Sequence, residues 1–204
     1  MVRKLVIGLA VVVLAAWLVV ECVEGRGVWS TPELRHMREM KDRREAPSTV
    51  EDMTVDDFAR LPANRPISEY APLERHGVRV EGYVQRIERS PDGDFHLTLE
   101  ASLPAGKGDR YMTIEITPGW HRGSRWTYEA LADRLGAERA GAPAPREQPR
   151  RVRITGWLMY DVWYDALPAW VFDRGHRISG WEVHPVTRIE VWDERQKALV
   201  PVSR

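Results

Sequence analysis

Four residues carry the most direct chemistry in the sequence. His96, Glu115, Glu182 and His184 are two imidazoles and two carboxylates, a donor set that suits a divalent ion such as zinc, manganese or iron. His96 stands in Asp94-Phe95-His96, and Glu182-Val183-His184 repeats the i, i+2 spacing that puts two side chains on one face of a strand. Asp94 and Asp161 are further ligand candidates. The spacing matches no known ligand signature, and the same groups suit a hydrogen-bonded lattice on a sheet surface, with Glu182 and His184 orienting nearby Arg or Thr side chains.

A second group is aromatic. Trp157, Trp163, Tyr164 and Trp170 fall within a short stretch beside Asp161, Arg174 and His176. Flat rings next to acids and Arg suit sugars or bases, each stacked face contributing about 1–3 kcal/mol in single-strand nucleic-acid complexes. The competing reading is a loop that packs its own rings as a plug, because Trp is highly buried on average. A membrane interface, where Trp is favoured, is a third.

Other chemistries are excluded. There is no Gly-x-Ser-x-Gly elbow, no phosphate-binding glycine loop and no His-Glu-x-x-His, and the one cysteine, Cys22, lies at the N-terminal edge. One cysteine also excludes an internal disulfide framework. Thirty bases balance thirty acids, and without residues 1–25, which hold Arg3, Lys4, Glu21 and Glu24, the balance is 28 to 28. A neutral domain has no general attraction to polyanions, so nucleic acid is an unlikely partner.

The elements that must position these groups follow from apolar periodicity. Val78, Val80, Gly82 and Val84 alternate with polar residues, as do Phe95, Leu97 and Leu99, and Met112, Ile114 and Ile116; these spacings predict three meandering strands. Trp126 to Ala137 has a helical stripe of Leu131 and Leu135 ended by Gly136. A fourth strand carries Val152, Ile154, Gly156 and Leu158, and a fifth runs from Trp181 to Trp192 with an interruption at Pro185. The predicted fold class is therefore mainly β: a five-stranded OB-like Greek-key barrel with one helix between strands three and four. Another all-β arrangement with a peripheral helix is the alternative. In the barrel, His96, Glu115, Glu182 and His184 lie in the outward phase of three adjacent strands and converge.

The chain opens with Arg3 and Lys4 before an apolar run from Leu5 to Val20, short for a spanning helix and long for a signal-peptide core. Poor cleavage sites follow it, which favours an uncleaved signal anchor or transmembrane helix with the basic end cytoplasmic. The expected organisation is an anchor over 1–25, a polar linker with short helices over 26–71, the barrel over 72–195 and a C-terminal tail over 196–204.

Asp94-Phe-His96, Ile114-Glu-Ile-Thr-Pro118, Thr155-Gly-Trp-Leu-Met-Tyr-Asp161 and Trp181-Glu-Val-His-Pro-Val186 together resemble a family of exported or membrane-anchored bacterial proteins without an assigned function. The resemblance spans Pro72 to Trp192. It implies that these blocks belong to one OB-fold-like domain and supplies no activity.

Two functions are expected from these residues. The first is a non-enzymatic binding or assembly module, single-pass in the cytoplasmic membrane with its C-terminal domain outside the cytoplasm, taking a glycan, peptide or protein through the aromatic loop. The second is a metal-dependent hydrolase built on the His/Glu cluster.

Overall fold

The structure is a computed structural model that describes residues 12–18, 21, 25, 30–103, 110–142, 148–170 and 175–204. The predicted anchor, over 1–25, lies largely outside them. Residues 12–18 are helical, and no helix among the described residues is long and apolar enough to cross a membrane.

Helix α1 (Pro32–Lys41) starts on the Thr31 side chain, which accepts from Leu34 N, with Pro32 in the first turn where its missing N–H costs nothing. Strand β1 (Val50–Met53) pairs parallel to the start of the barrel. Short helices α2 (Val55–Phe58) and α3 (Ile67–Tyr70) follow, α2 held by a capping box in which Thr54 and Asp57 satisfy each other's backbone N–H groups. The polar linker expected over 26–71 carries residues that pack onto the barrel, with Phe58 and Tyr70 fully buried in its core cluster.

Five strands close the barrel: β2 (Gly77–Arg89), β3 (Phe95–Glu100), β4 (Tyr111–Ile116) and, beyond α4 (Pro118–His121), α5 (Tyr128–Leu135) and the two-residue β5 (Glu138–Arg139), strand β6 (Arg151–Tyr160). After α6 (Trp163–Ala166) comes β7 (Trp181–Asp193), and β8 (Ala198–Pro201) pairs with its end. The order around the barrel is β2-β3-β4-β7-β6, and β6 returns to β2. Closure removes every free edge among these five strands. Alternate residues Val80, Val84, Leu97, Leu99, Met112, Ile114, Ile154, Val183 and Ile189 fill the interior and are essentially buried. Their neighbours therefore point outward. Strand β7 spans Pro185, and the interruption predicted there is a register shift in the β6–β7 ladder, where Gly156 pairs with Val186 but Leu158 with Val183; the His184–Pro185 peptide is cis.

The excess of tryptophan has a structural use. Trp120, Trp126, Trp157 and Trp181 each donate the indole N–H to a main-chain carbonyl outside the five barrel strands: Arg43, Val202, Glu45 and Pro62. Each ring packs an apolar body against the barrel and pins a flanking segment with its one polar atom.

Candidate functional site

The outward faces of β3, β4 and the start of β7 form one surface. His96 lies directly opposite Glu115 in the β3–β4 ladder, and Ile114 pairs with Val183, which brings Glu115 beside Glu182 and His184. The turn before β3 adds two acids: Gly93 takes a left-handed conformation at φ 92°, and Asp94 N donates to Asp92 Oδ1 at 3.2 Å. Helix α1 crosses this surface, presenting Met37, Arg38 and Lys41. The segment after β6 walls the other side with Asp161, Trp163 and Arg177. Together they enclose a pocket of about 400 Å³.

All four residues predicted as a cluster line this pocket. His184 is 0% exposed, Glu182 1% and Glu115 6%. His184 Nδ1 stands 3.1 Å from Glu115 Oε2 and 3.8 Å from Glu182 Oε2, and His96 Nε2 is 3.3 Å from Glu115 Oε2. Asp94, considered from sequence only as an extra ligand, is central: its Oδ2 is 3.3 Å from His184 Nε2. One ligand atom from each of Asp94, Glu115 and His184 lies within 4.8 Å of the others.

Charge does not balance here with neutral histidines. Glu88, Asp92, Asp94, Glu115, Asp161 and Glu182 stand against Arg38, Lys41 and Arg177, so six carboxylates meet three cations. Buried charge without compensation costs several kcal/mol per ion, so the pocket draws in positive charge. Burial opposes protonation of both histidines, but the surrounding carboxylates together outweigh it: Glu115 and Glu182 raise His96 to about 9, and Glu115, Asp94 and Glu182 raise His184 to about 10. Burial, then repulsion from Glu115, lifts Glu182 to about 7. Burial works against ionisation of Glu115 as well, yet His96, His184 and Lys41 hold it well below the usual carboxylate range.

Either protons or a metal ion can supply that charge, and alignment separates the two. A protonated His184 would donate from both ring nitrogens, but neither Nδ1 nor Nε2 makes an aligned hydrogen bond despite contacts of 3.1 and 3.3 Å. His96 Nε2, Asp94 Oδ2 and Glu182 Oε2 are also buried without an aligned partner. Two donors about 2.0–2.2 Å from one ion stand roughly 3.0–3.5 Å apart and aim at the ion rather than at each other. Buried polar atoms left unmatched by protein groups are the positions that ordered water or an ion would satisfy.

The aromatic candidates do not meet as a platform. Only Trp163 and Asp161 among them line the polar pocket. Trp157 lies under the segment after α1, with the Arg43 guanidinium 4.0 Å from its ring centre. Tyr164 is 8% exposed, beneath Arg177, and donates to the Arg177 carbonyl at 3.1 Å. Trp170 is 83% exposed and His176 is also exposed; Arg174 lies outside the described residues. Arg177 instead braces the wall, 3.4 Å from Asp161 and 3.7 Å from Glu182.

Sequence reasoning missed Lys41. Its ammonium is 2.8 Å from Asp92 Oδ2 and 3.3 Å from Asp94 Oδ2. Nothing local marks it, since a lysine on a polar helix usually faces solvent.

No protein-family model matches the chain, and neither does any curated protein. Among solved structures, it is similar to the OBody AM3L09 bound to hen egg-white lysozyme at 13% identity and a TM-score of 0.30, covering 71% of this chain and 98% of that one. It is also similar to the aspartyl tRNA synthetase from Entamoeba histolytica at 14% identity and a TM-score of 0.33, over 78% of this chain and 28% of that one.

Proposed function

We propose that the chain is an OB-like Greek-key barrel, held outside the cytoplasm by its N-terminal segment, and that its outer β3–β4 face carries a divalent-metal centre used for hydrolysis. Asp94, Glu115 and His184 are the ligands, with His96 and Glu182 beside them. The observation that carries this reading is His184, fully buried, with both ring nitrogens in carboxylate contact and neither aligned as a hydrogen-bond donor. A bound divalent ion lowers the pKa of coordinated water and so supplies a nucleophile at neutral pH. Glu182, outside the closest ligand trio, is placed to take the proton. The location agrees, because OB barrels commonly bind ligands on this face between the loop after the first strand and the loop before the last.

Titration calorimetry of the full chain with manganese or zinc tests the reading. One equivalent is expected to bind, with affinity at least a hundredfold weaker in His184→Ala; no heat and no thermal shift with either metal would overturn it. Metal-dependent turnover of chromogenic ester and phosphoester substrates then tests hydrolysis.

A second reading is favoured by one observation. Trp170 presents a bare ring to solvent next to the pocket-lining Trp163 segment, which suits a non-enzymatic module that takes a glycan, peptide or protein. Metal binding without turnover, with ligand capture lost in Trp170→Ala, would select this function.

A further inference from the structure

Two groups of possible ligands occur in the pocket, and they share a residue. Asp94, Glu115 and His184 form the inner trio; Asp92, Asp94 and His96 form an outer one, again with ligand atoms within 4.8 Å of one another. Each trio is one imidazole and two carboxylates. Paired metal centres stand about 3.5–4 Å apart, close enough for one carboxylate to reach both ions. Asp94 has the position for that role: it is 2% exposed, its Oδ2 has no aligned hydrogen-bond partner, and it belongs to both trios.

The outer trio already holds a cation. Lys41 reaches from the last turn of α1 to Asp92 at 2.8 Å and Asp94 at 3.3 Å. Its helix is fastened by the buried Met37 and by the pairing of His36 with Glu74, so the ammonium is delivered there by the fold. Burial disfavours the charge, but Glu115, Asp94 and Asp92 more than restore it, raising the Lys41 pKa above that of an ordinary lysine.

We propose that Asp92, Asp94 and His96 form a second cation position beside the metal centre, and that the Lys41 ammonium fills it, giving a one-metal-plus-lysine pair where a two-metal centre would otherwise assemble. This inference rests on the metal reading above. The lysine neutralises the shared carboxylate without a second ion, and its remaining donor capacity faces the pocket where an anionic group of a substrate would bind.

The test is manganese stoichiometry of the full chain, read by calorimetry and by electron paramagnetic resonance, for wild type, Lys41→Met, Lys41→Arg and Lys41→Met/Asp92→Asn. One equivalent is expected for wild type and Lys41→Arg, two for Lys41→Met with a spin-coupled manganese pair, and one again for the double variant. Lys41→Gln serves in the same way if Lys41→Met does not fold. Two equivalents in wild type, or one in both Lys41→Met and Lys41→Gln, would overturn the inference and leave the metal centre intact. No metal in wild type would instead remove the metal reading itself.

Discussion

Asp94 Oδ2 stands 3.3 Å from His184 Nε2, and the same oxygen stands 3.3 Å from Lys41 Nζ. A turn, a strand and a helix from three parts of the chain thus meet at one buried carboxylate. Asp94 is placed to orient the imidazole or, on the metal reading proposed above, to share an ion with it, and in both roles its charge matters more than its shape.

Asp94→Asn separates affinity from stability. Removing one buried negative charge relieves repulsion in the metal-free pocket, while the ligand set loses an anionic donor. The expected outcome is an unchanged or higher metal-free melting temperature together with a metal affinity reduced about 10–100-fold. Differential scanning calorimetry and metal titration on the same sample check it; unchanged affinity would count against Asp94 in the centre.

Glu74 predicts a pH dependence with a definite sign. Its side chain is 1% exposed; Oε1 accepts from Tyr160 N at 2.8 Å and Oε2 pairs with His36. Burial raises its pKa, His36 and Arg43 pull it back, and the net value is about 7 against an ordinary 4.5. The folded state therefore holds the proton more tightly than the unfolded one. That stabilising contribution is complete below about pH 4.5 and is lost as pH rises through 7, an effect on the order of 3 kcal/mol. Glu74→Gln should flatten the stability profile between pH 5 and 8 and raise stability at pH 8, as measured by urea unfolding at each pH.

Gly156 is a packing requirement beneath the site. A Cβ there would meet the Pro185 carbonyl oxygen at 2.4 Å and the Val183 side chain at 2.7 Å. Both belong to the part of β7 that presents His184. Gly156→Ala should destabilise the fold by about 1–3 kcal/mol through overpacking and weaken metal binding with it. Chemical denaturation and metal titration of the variant test both effects, and wild-type values in each would show that β7 gives way freely.

Trp157 makes a prediction about the segment after α1. It donates to the Glu45 carbonyl at 2.8 Å and carries Arg43 on its face, so together with Trp120 on the Arg43 carbonyl it holds the residues between α1 and β1. Trp157→Ala should speed limited proteolysis between residues 42 and 49 several-fold, through cheaper local opening. Mapping the first cut by mass spectrometry decides it, and an unchanged cleavage rate would show that other contacts carry the segment.

The barrel is legible in the sequence because a closed sheet must alternate. Val78 to Val84, Phe95 to Leu99 and Met112 to Ile116 supply inward residues at every second position, and that phase sends His96, Glu115, Glu182 and His184 to the other face. Their meeting follows once β4 lies beside β7. What alternation does not encode is what covers the outer face. Met37 and Lys41 belong to a helix with a thin apolar stripe, and the burial of the first and the half-burial of the second are decided by β3, β4 and the turn at Asp92, far along the chain. The partners of the tryptophans are hidden for a related reason: Trp120, Trp126, Trp157 and Trp181 give their N–H groups to carbonyls of flanking segments, which no local pattern reveals.

The pairing of Ile114 with Val183 has a kinetic consequence. This parallel contact joins β4 to β7 across the helix, the connection at 136–150 and all of β6, so it, like the β2–β6 pairing, closes a long loop and is entropically demanding to form. The hairpins β2–β3 and β3–β4 can form early, but Glu115 and His184 become neighbours only when the β4–β7 seam shuts. A nascent or partly folded chain thus presents these side chains scattered, and binding of any ion that needs Glu115 and His184 together would report that this seam has closed.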